Sequence, residues 1–516
     1  MKKKILLMMS FVGLTSAWQL SQIKQVEAED TKVKVMTTFY PVYEFTKGIV
    51  GNDGDVSMLM KAGTEPHDFE PTTKDVKKIQ DSDVIVYMDD NMETWIPKVK
   101  KSIKSDKVDY IEGTGSMILA AGSGEEHHHE HEDSKKDHDH HDEEGHSHKF
   151  DPHVWLSPYR SITVVENIRD SLSKKYPKKA DVFKSNAAAY IEKLKKLDKE
   201  YSDALSSAKQ KSFVTQHAAF GYMALDYGLN QIAINGVSPE NEPSAKRLAE
   251  LSKYVKKYDI KYIYFEENAS SKVAKTLAKE AGVKSVVLSP LESLTKKEIK
   301  AGEDYFSVMR ENLKALELTT KRDGKEIKPE EDKSKSVYNG YFKDSAVKDR
   351  KLSDWSGSWQ SVYPYLQDGT LDQVMDYKAK KSKGKMTAKE YKDYYEAGYK
   401  TDVTAIKING KKSTITFERG NDKKTFTYSY SGKKIITYEK GNRGVRYMFE
   451  AKEKDAGEFK YIQFSDHEIA PNKAEHFHLY WGAQGHDEIA SKLDHWPTYY
   501  KSDLSGREIA QEINAH

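Results

Sequence analysis

ADVFKSNAAAYIEKLKKLDKEYSDALSSAKQ, residues 180–210, carries apolar residues at helical spacing and contains neither glycine nor proline. That pattern predicts one long helix, and what flanks it decides the fold. Before it, VKVMTTFY (33–40), VSMLM (56–60) and VIVYM (84–88) are apolar, β-branched runs set between more polar, helix-length stretches. After it the alternation resumes with SFVTQ (212–216), IKYIYFEE (260–267) and SVVLS (285–289). Strands separated by helices build largely parallel sheets. Residues 29–318 therefore read as an α/β bilobal unit, two lobes joined by a long rigid helix.

Residues 319–336, TTKRDGKEIKPEEDKSKS, have linker composition. Beyond them, over 337–516, STITFERG, KTFTYSYSGKKIITYEKG, GVRYMFEAK, KYIQFSD and HFHLYWG are aromatic and β-branched runs with glycine and asparagine at the turns. They predict a small antiparallel barrel or sandwich, preceded by a helical portion near 371–399. No internal repeat is visible.

Composition narrows the function. The chain has 516 residues, 37% hydrophobic and 32% charged, with a formal net charge of +2. Several cores are affordable at that length, and the charge balance gives no general attraction to nucleic acid. Lys2, Lys3 and Lys4 precede the apolar run ILLMMSFVGLTSAW, and Val26-Glu27-Ala28 offers a cleavage site. Residues 1–28 read as a secretory signal peptide, so an extracellular, surface-associated location is expected. There is no cysteine, which excludes disulfides, thiolate ligands and lipid attachment through an N-terminal cysteine. Any metal must be held by His, Asp and Glu.

The 18 histidines are unevenly spread, and half lie in EEHHHEHEDSKKDHDHHDEEGHSH, residues 125–148. This tract lies within a predicted loop, 121–148, that inserts into the first unit. His127, His128, His129, His131, His138, His140, His141, His146 and His148 come with carboxylates but without apolar residues to fix one geometry. The composition predicts a weak, fast-exchanging cation collector rather than a tight site.

The scattered histidines are placed differently. His67 in KAGTEPHDFEP, His153 in FDPHVWLSP and His217 after SFVTQ follow strands or the acidic tract, and such loops converge on one crevice in open α/β sheets. Glu292, after SVVLS, offers a carboxylate at the same edge, with Glu266 and Glu267 as rivals. Three imidazoles and a carboxylate suit tetrahedral zinc, whereas manganese favours more oxygen donors. In the last part, His476 and His478 in EHFHLYW share one face of a strand, and His467 in QFSDHEIAP reaches toward it. Three histidines with one open position form a second zinc arrangement. Such an open site also fits a zinc hydrolase, with Asp466 and Glu475 adjacent, but no motif for a general base accompanies it. His486, His495 and His516 show no comparable pattern. Histidines of ordinary pKa are mostly neutral near pH 7 and ready to bind, and protons compete as the pH falls toward 5.

AGTEPHDFEP, FDPHVWLSP and VTQHAAFGYMALDYG resemble the cluster A-I substrate-binding proteins of zinc ABC importers. LSDWSGSWQSVYPYL, KGNRGVR, FSDHEIAPNKAEHFH and HWPTYY resemble the ZinT family. The resemblance covers essentially the whole chain after the signal. It implies one zinc ion in the interlobe cleft on His67, His153, His217 and Glu292, settling Glu292 over its rivals. For the last part it implies a calycin-like (lipocalin-like) barrel with zinc on His467, His476 and His478. The implied role is zinc capture by a monomeric, non-enzymatic protein and delivery to a membrane ABC permease with its ATPase. Other surface His-rich zinc-binding proteins are further candidate partners. Manganese binding and a plain adhesin are the competing roles.

Overall fold

The computed structural model describes residues 32–103, 107–122, 150–233, 245–266, 272–325, 337, 340–438 and 441–515. The signal segment, the nine histidines of the 127–148 tract, Glu267, His516 and most of the linker lie outside the described residues.

Two four-stranded parallel sheets form the first unit. Strands β1 (Val33–Thr37), β2 (Gly54–Met58), β3 (Val84–Tyr87) and β4 (Asp109–Glu112) run in the order β2-β1-β3-β4. Strands β5 (Ser212–Thr215), β6 (Asn230–Ala233), β7 (Tyr262–Phe265) and β8 (Lys284–Val287) repeat it as β6-β5-β7-β8. The two lobes thus share a topology that leaves no repeat in the sequence. β3 and β5 are buried along their whole length, as parallel strands covered on both faces must be.

The connecting helix is Ala180–Leu205. Its 26 residues span about 39 Å. Phe183, Ala187, Tyr190, Ile191, Leu194, Leu197, Tyr201 and Leu205 line its buried stripe, every third or fourth residue. Near its end, Tyr201 Oη donates to the Met309 carbonyl at 2.6 Å, tying it to the last helix of the unit, Tyr305–Thr320. That helix extends two residues into the predicted linker.

The second unit is a closed barrel of eight antiparallel strands. They are β9 (Gly357–Ser361), β10 (Ala405–Asn409), β11 (Thr414–Arg419), β12 (Asp422–Thr437), β13 (Arg443–Ala451), β14 (Tyr461–Ser465), β15 (His476–Gly482) and β16 (Thr498–Lys501). Closure is made by β9, which pairs with both β10 and β16. Trp355, Trp359, Phe417, Tyr447, Phe449, Phe464, Phe477 and Tyr499 pack inside, so the interior is a filled core. Helices Asp372–Lys381, Ala388–Tyr399 and Gly506–Ala515 form a separate apolar layer. Ile118, from the first unit, is buried within that layer. Among the described residues no helix is long and apolar enough to cross a membrane.

Candidate metal centres

His67, His153, His217 and Glu292 meet in the cleft between the lobes, all buried. His67 Nε2 lies 3.1 Å from His153 Nε2. Glu292 Oε1 lies 3.5, 3.4 and 3.7 Å from the Nε2 atoms of His67, His153 and His217. An ion bonded at about 2.0–2.1 Å to four tetrahedral donors separates them by about 3.3–3.4 Å. The donors therefore stand at the edge lengths of a zinc tetrahedron. His217 Nε2 and Glu292 Oε1 are fully buried with no hydrogen-bond partner. Leaving such atoms unsatisfied is costly unless a cation takes them.

Each ligand is held from behind. Asp151 Oδ1 accepts both the His153 backbone N–H, at 3.0 Å, and its ring Nδ1–H, at 2.7 Å. That fixes the tautomer with Nε2 toward the cleft. A side chain on Gly221 would come within 2.8 Å of Asp151 Oδ2, so glycine there gives the carboxylate room. His217 Nδ1 is bonded to Glu266, which thus stands behind the ring while Glu292 stands before it. The backbone N–H of His67 donates to Glu65 Oε1 at 3.1 Å. Glu292 follows Leu291, a buried residue at φ 58°. That left-handed conformation, unfavourable for a branched side chain, turns the loop into the cleft. Trp155 Nε1 donates to the Pro290 carbonyl at 2.8 Å and so anchors this loop to the one carrying His153.

These surroundings set the charges. Burial pushes the Glu292 carboxyl up, but the imidazoles of His153, His67 and His217 outweigh it and hold the carboxyl well below its ordinary value. Burial also lowers His217, which stays neutral. For His153 burial is overcome by the Asp151 and Glu292 carboxylates, which raise it to about 9. The two carboxylates thus favour a proton on His153, which an incoming cation would displace. Glu65, Glu266 and Glu292 also bring carboxylate oxygens within 4.8 Å of one another, along a cavity of about 150 Å³ that opens from the cleft between residues 63–65 and 289–298.

The second set lies on the outer wall of the barrel. Phe477 and Tyr499 point inward, so His476 and His478 project from the opposite face. Ring centroids of His467 and His476 are 5.4 Å apart, and those of His476 and His478 are 6.2 Å apart. Thr498 Oγ1 donates to the Trp496 carbonyl at 2.9 Å, so its 2.8 Å contact with His478 Nδ1 must be accepted from the ring. His478 therefore also presents Nε2. Burial, with His467 and Arg446, lowers its pKa to about 3. His476 stacks on Tyr500 at 5.1 Å and 16°. Asp466 is held by Arg350 Nη1 at 2.7 Å and by Trp355 Nε1 at 3.1 Å. His486 lies against Gln463, and His495 contacts the Lys400 carbonyl.

Two family models match the chain. Residues 35–318 match the family described as zinc-uptake complex component A, periplasmic. Residues 333–516 match the ZinT (YodA) periplasmic lipocalin-like zinc-recruitment family. Zinc-binding protein AdcA of Streptococcus pyogenes serotype M18 is 77% identical over 516 residues, covering all of both chains. The chain belongs to the AdcA family. Zinc-binding lipoprotein AdcA of Streptococcus pneumoniae (strain R6) is 58% identical, again over the full length of both. The crystal structure of Zn(II)-bound AdcA from Streptococcus pneumoniae superposes with a TM-score of 0.83, covering 94% of this chain and all of that one. AdcA members are named as zinc-binding proteins, a non-enzymatic role, and zinc rather than manganese is the metal in those names. The pneumococcal relative is named a lipoprotein, whereas this sequence contains no cysteine.

Asp151, Thr498 and Trp155 were not singled out by sequence reasoning, and Glu266 was weighed only as a rival ligand. The one available signal was the carboxylate two residues before His153.

Proposed function

We propose that the protein is exported, captures zinc at the cell surface and delivers it to a membrane ABC permease. His67, His153, His217 and Glu292 hold the delivered ion. The observation that carries this reading is the four-donor set at tetrahedral zinc spacing, buried between two lobes that offer an ion a dry, closed cleft. The barrel set, His467, His476 and His478, holds a second ion with one position open to exchange, and the 125–148 tract gathers cations weakly and passes them on. All these donors bind without redox chemistry, and a neutral His478 needs no proton displaced. The test is a His67→Ala, His153→Ala, His217→Ala triple variant in the native cell. Zinc-limited growth and radioactive zinc uptake should fall to the level of a deletion strain. Normal uptake would remove the cleft from the transport route.

A further inference from the structure

We propose that Tyr222 and the C-terminal helix Gly506–Ala515 are positioning elements for His153, so that the barrel unit sets the geometry of a metal site in the other unit. The proposal rests on the reading of His153 as a cleft ligand.

The connection is continuous. From the C-terminal helix, Gln511 grips Leu119 as a neighbouring strand would. The Leu119 N–H donates to Gln511 Oε1 at 2.8 Å, and Gln511 Nε2 donates to the Leu119 carbonyl at 2.6 Å. Asn514 Nδ2 donates to the same carbonyl at 2.7 Å. The next residue, Ala120, donates its N–H to Tyr222 Oη at 2.8 Å and accepts the Asp151 N–H at 2.9 Å. Tyr222 Oη donates in turn to the Asp151 carbonyl at 2.7 Å. Asp151 is the residue that orients His153. Two residues, Ala120 and Tyr222, thus fix the backbone of the one carboxylate behind the ligand, and the barrel unit fixes Ala120 through Leu119.

A second route reaches the same tyrosine. Lys380, from helix Asp372–Lys381 of the barrel unit, donates to Asp226 Oδ1 at 3.1 Å. Asp226 receives Arg160 at 2.7 and 3.0 Å, and the Arg160 guanidinium sits 4.6 Å over the Tyr222 ring. Tyr222, only 1% exposed, is therefore held by its hydroxyl from one side and by its ring from the other. On the barrel side, the C-terminal helix shares an apolar cluster with Tyr500, the residue stacked on His476. Supports of both metal centres meet on one helix. Buried hydrogen-bond chains act as units, and removing one link disturbs the rest.

The test uses the full chain carrying His476→Ala, so that the cleft ion is followed alone. Tyr222→Phe removes only the hydroxyl, and Gln511→Leu removes only the grip on Leu119. Zinc release into excess EDTA should be about tenfold faster in each, the size expected when an outer support of a metal ligand is lost. The Co(II) absorption bands of the cleft should shift in both. Because both act through Asp151, the double variant should release zinc no faster than the faster single one. Rates and spectra within twofold of the parent, or single effects that multiply, would overturn the proposal. Should Tyr222→Phe not fold, Gln511→Leu alone decides by the same two readouts. A separate control, His153→Ala, tests the underlying reading: if cleft zinc stays tight there, it is that reading that fails.

Discussion

Replacing Asp151 by asparagine should change how many protons zinc releases on entering the cleft. With His153 at about 9, nearly every molecule at pH 7.5 carries a proton on that ring, against about a tenth at an ordinary pKa of about 6.5. The Nδ1–H bond to Asp151 stays when zinc binds, so the displaced proton is the one on Nε2. Zinc binding to the wild-type cleft at pH 7.5 should therefore release about 0.9 proton more than an unperturbed histidine would allow. Displacing it costs about 2 kcal/mol at that pH, or about thirtyfold in affinity. Because the folded pKa is raised, affinity should climb about tenfold per pH unit from 7 to 9 and then level off. Asparagine keeps an acceptor for the ring but removes the charge, so the proton count should fall by about half or more. The assay is calorimetry in two buffers of different ionisation enthalpy, with the barrel site removed by His476→Ala. Equal proton counts in wild type and Asp151→Asn, or a flat affinity between pH 7 and 9, would refute the reasoning.

Native mass spectrometry should find two zinc ions on the wild type and one on His67→Ala or on His476→Ala, each loss being independent. Deletion of 125–148 should leave cleft affinity unchanged while slowing zinc association at submicromolar metal in stopped-flow experiments; loss of tight binding would make the tract part of the site. Arg350→Met should cost the barrel unit about 3–5 kcal/mol in urea unfolding, because Asp466 is left buried without its charge partner. The same change should weaken zinc at neighbouring His467, which metal counting at limiting zinc would show.

The cleft was legible in the sequence because open parallel sheets send their loops to one edge. That rule made His67, His153 and His217 candidates for one crevice, whereas Glu292 was separated from Glu266 and Glu267 only by the resemblance to the zinc-importer family. Glu266 was harder to place. It ends the strand beside β5, so it reaches the rear of the His217 ring, a distinction that depends on side-chain direction rather than order along the chain. Asp151 and Thr498 were hidden for a similar reason: each acts on the far nitrogen of an imidazole, and neither belongs to a periodic pattern. The barrel was foreseen, but the strand pair that closes it was not. β9, GSWQS, precedes the helical portion, and its partner β16 lies more than a hundred residues later, with Tyr499 opposite Ser361. Such a pairing has no local signal. The helical layer was foreseen near 371–399, while its capture of Ile118 is a contact between units that periodicity does not report.

The filled interior of the barrel has an evolutionary consequence. A cup-shaped barrel must keep its hollow open, so whatever it carries and whatever holds it upright compete for the same inward positions. Here Trp355, Trp359, Phe464 and Phe477 occupy the inside, and the histidines stand on the outside. On β15 the two jobs fall on alternate residues, Phe477 inward and His476 and His478 outward. Drift on the outer row can change which cation is favoured, or erase binding, while the fold goes on being inherited intact.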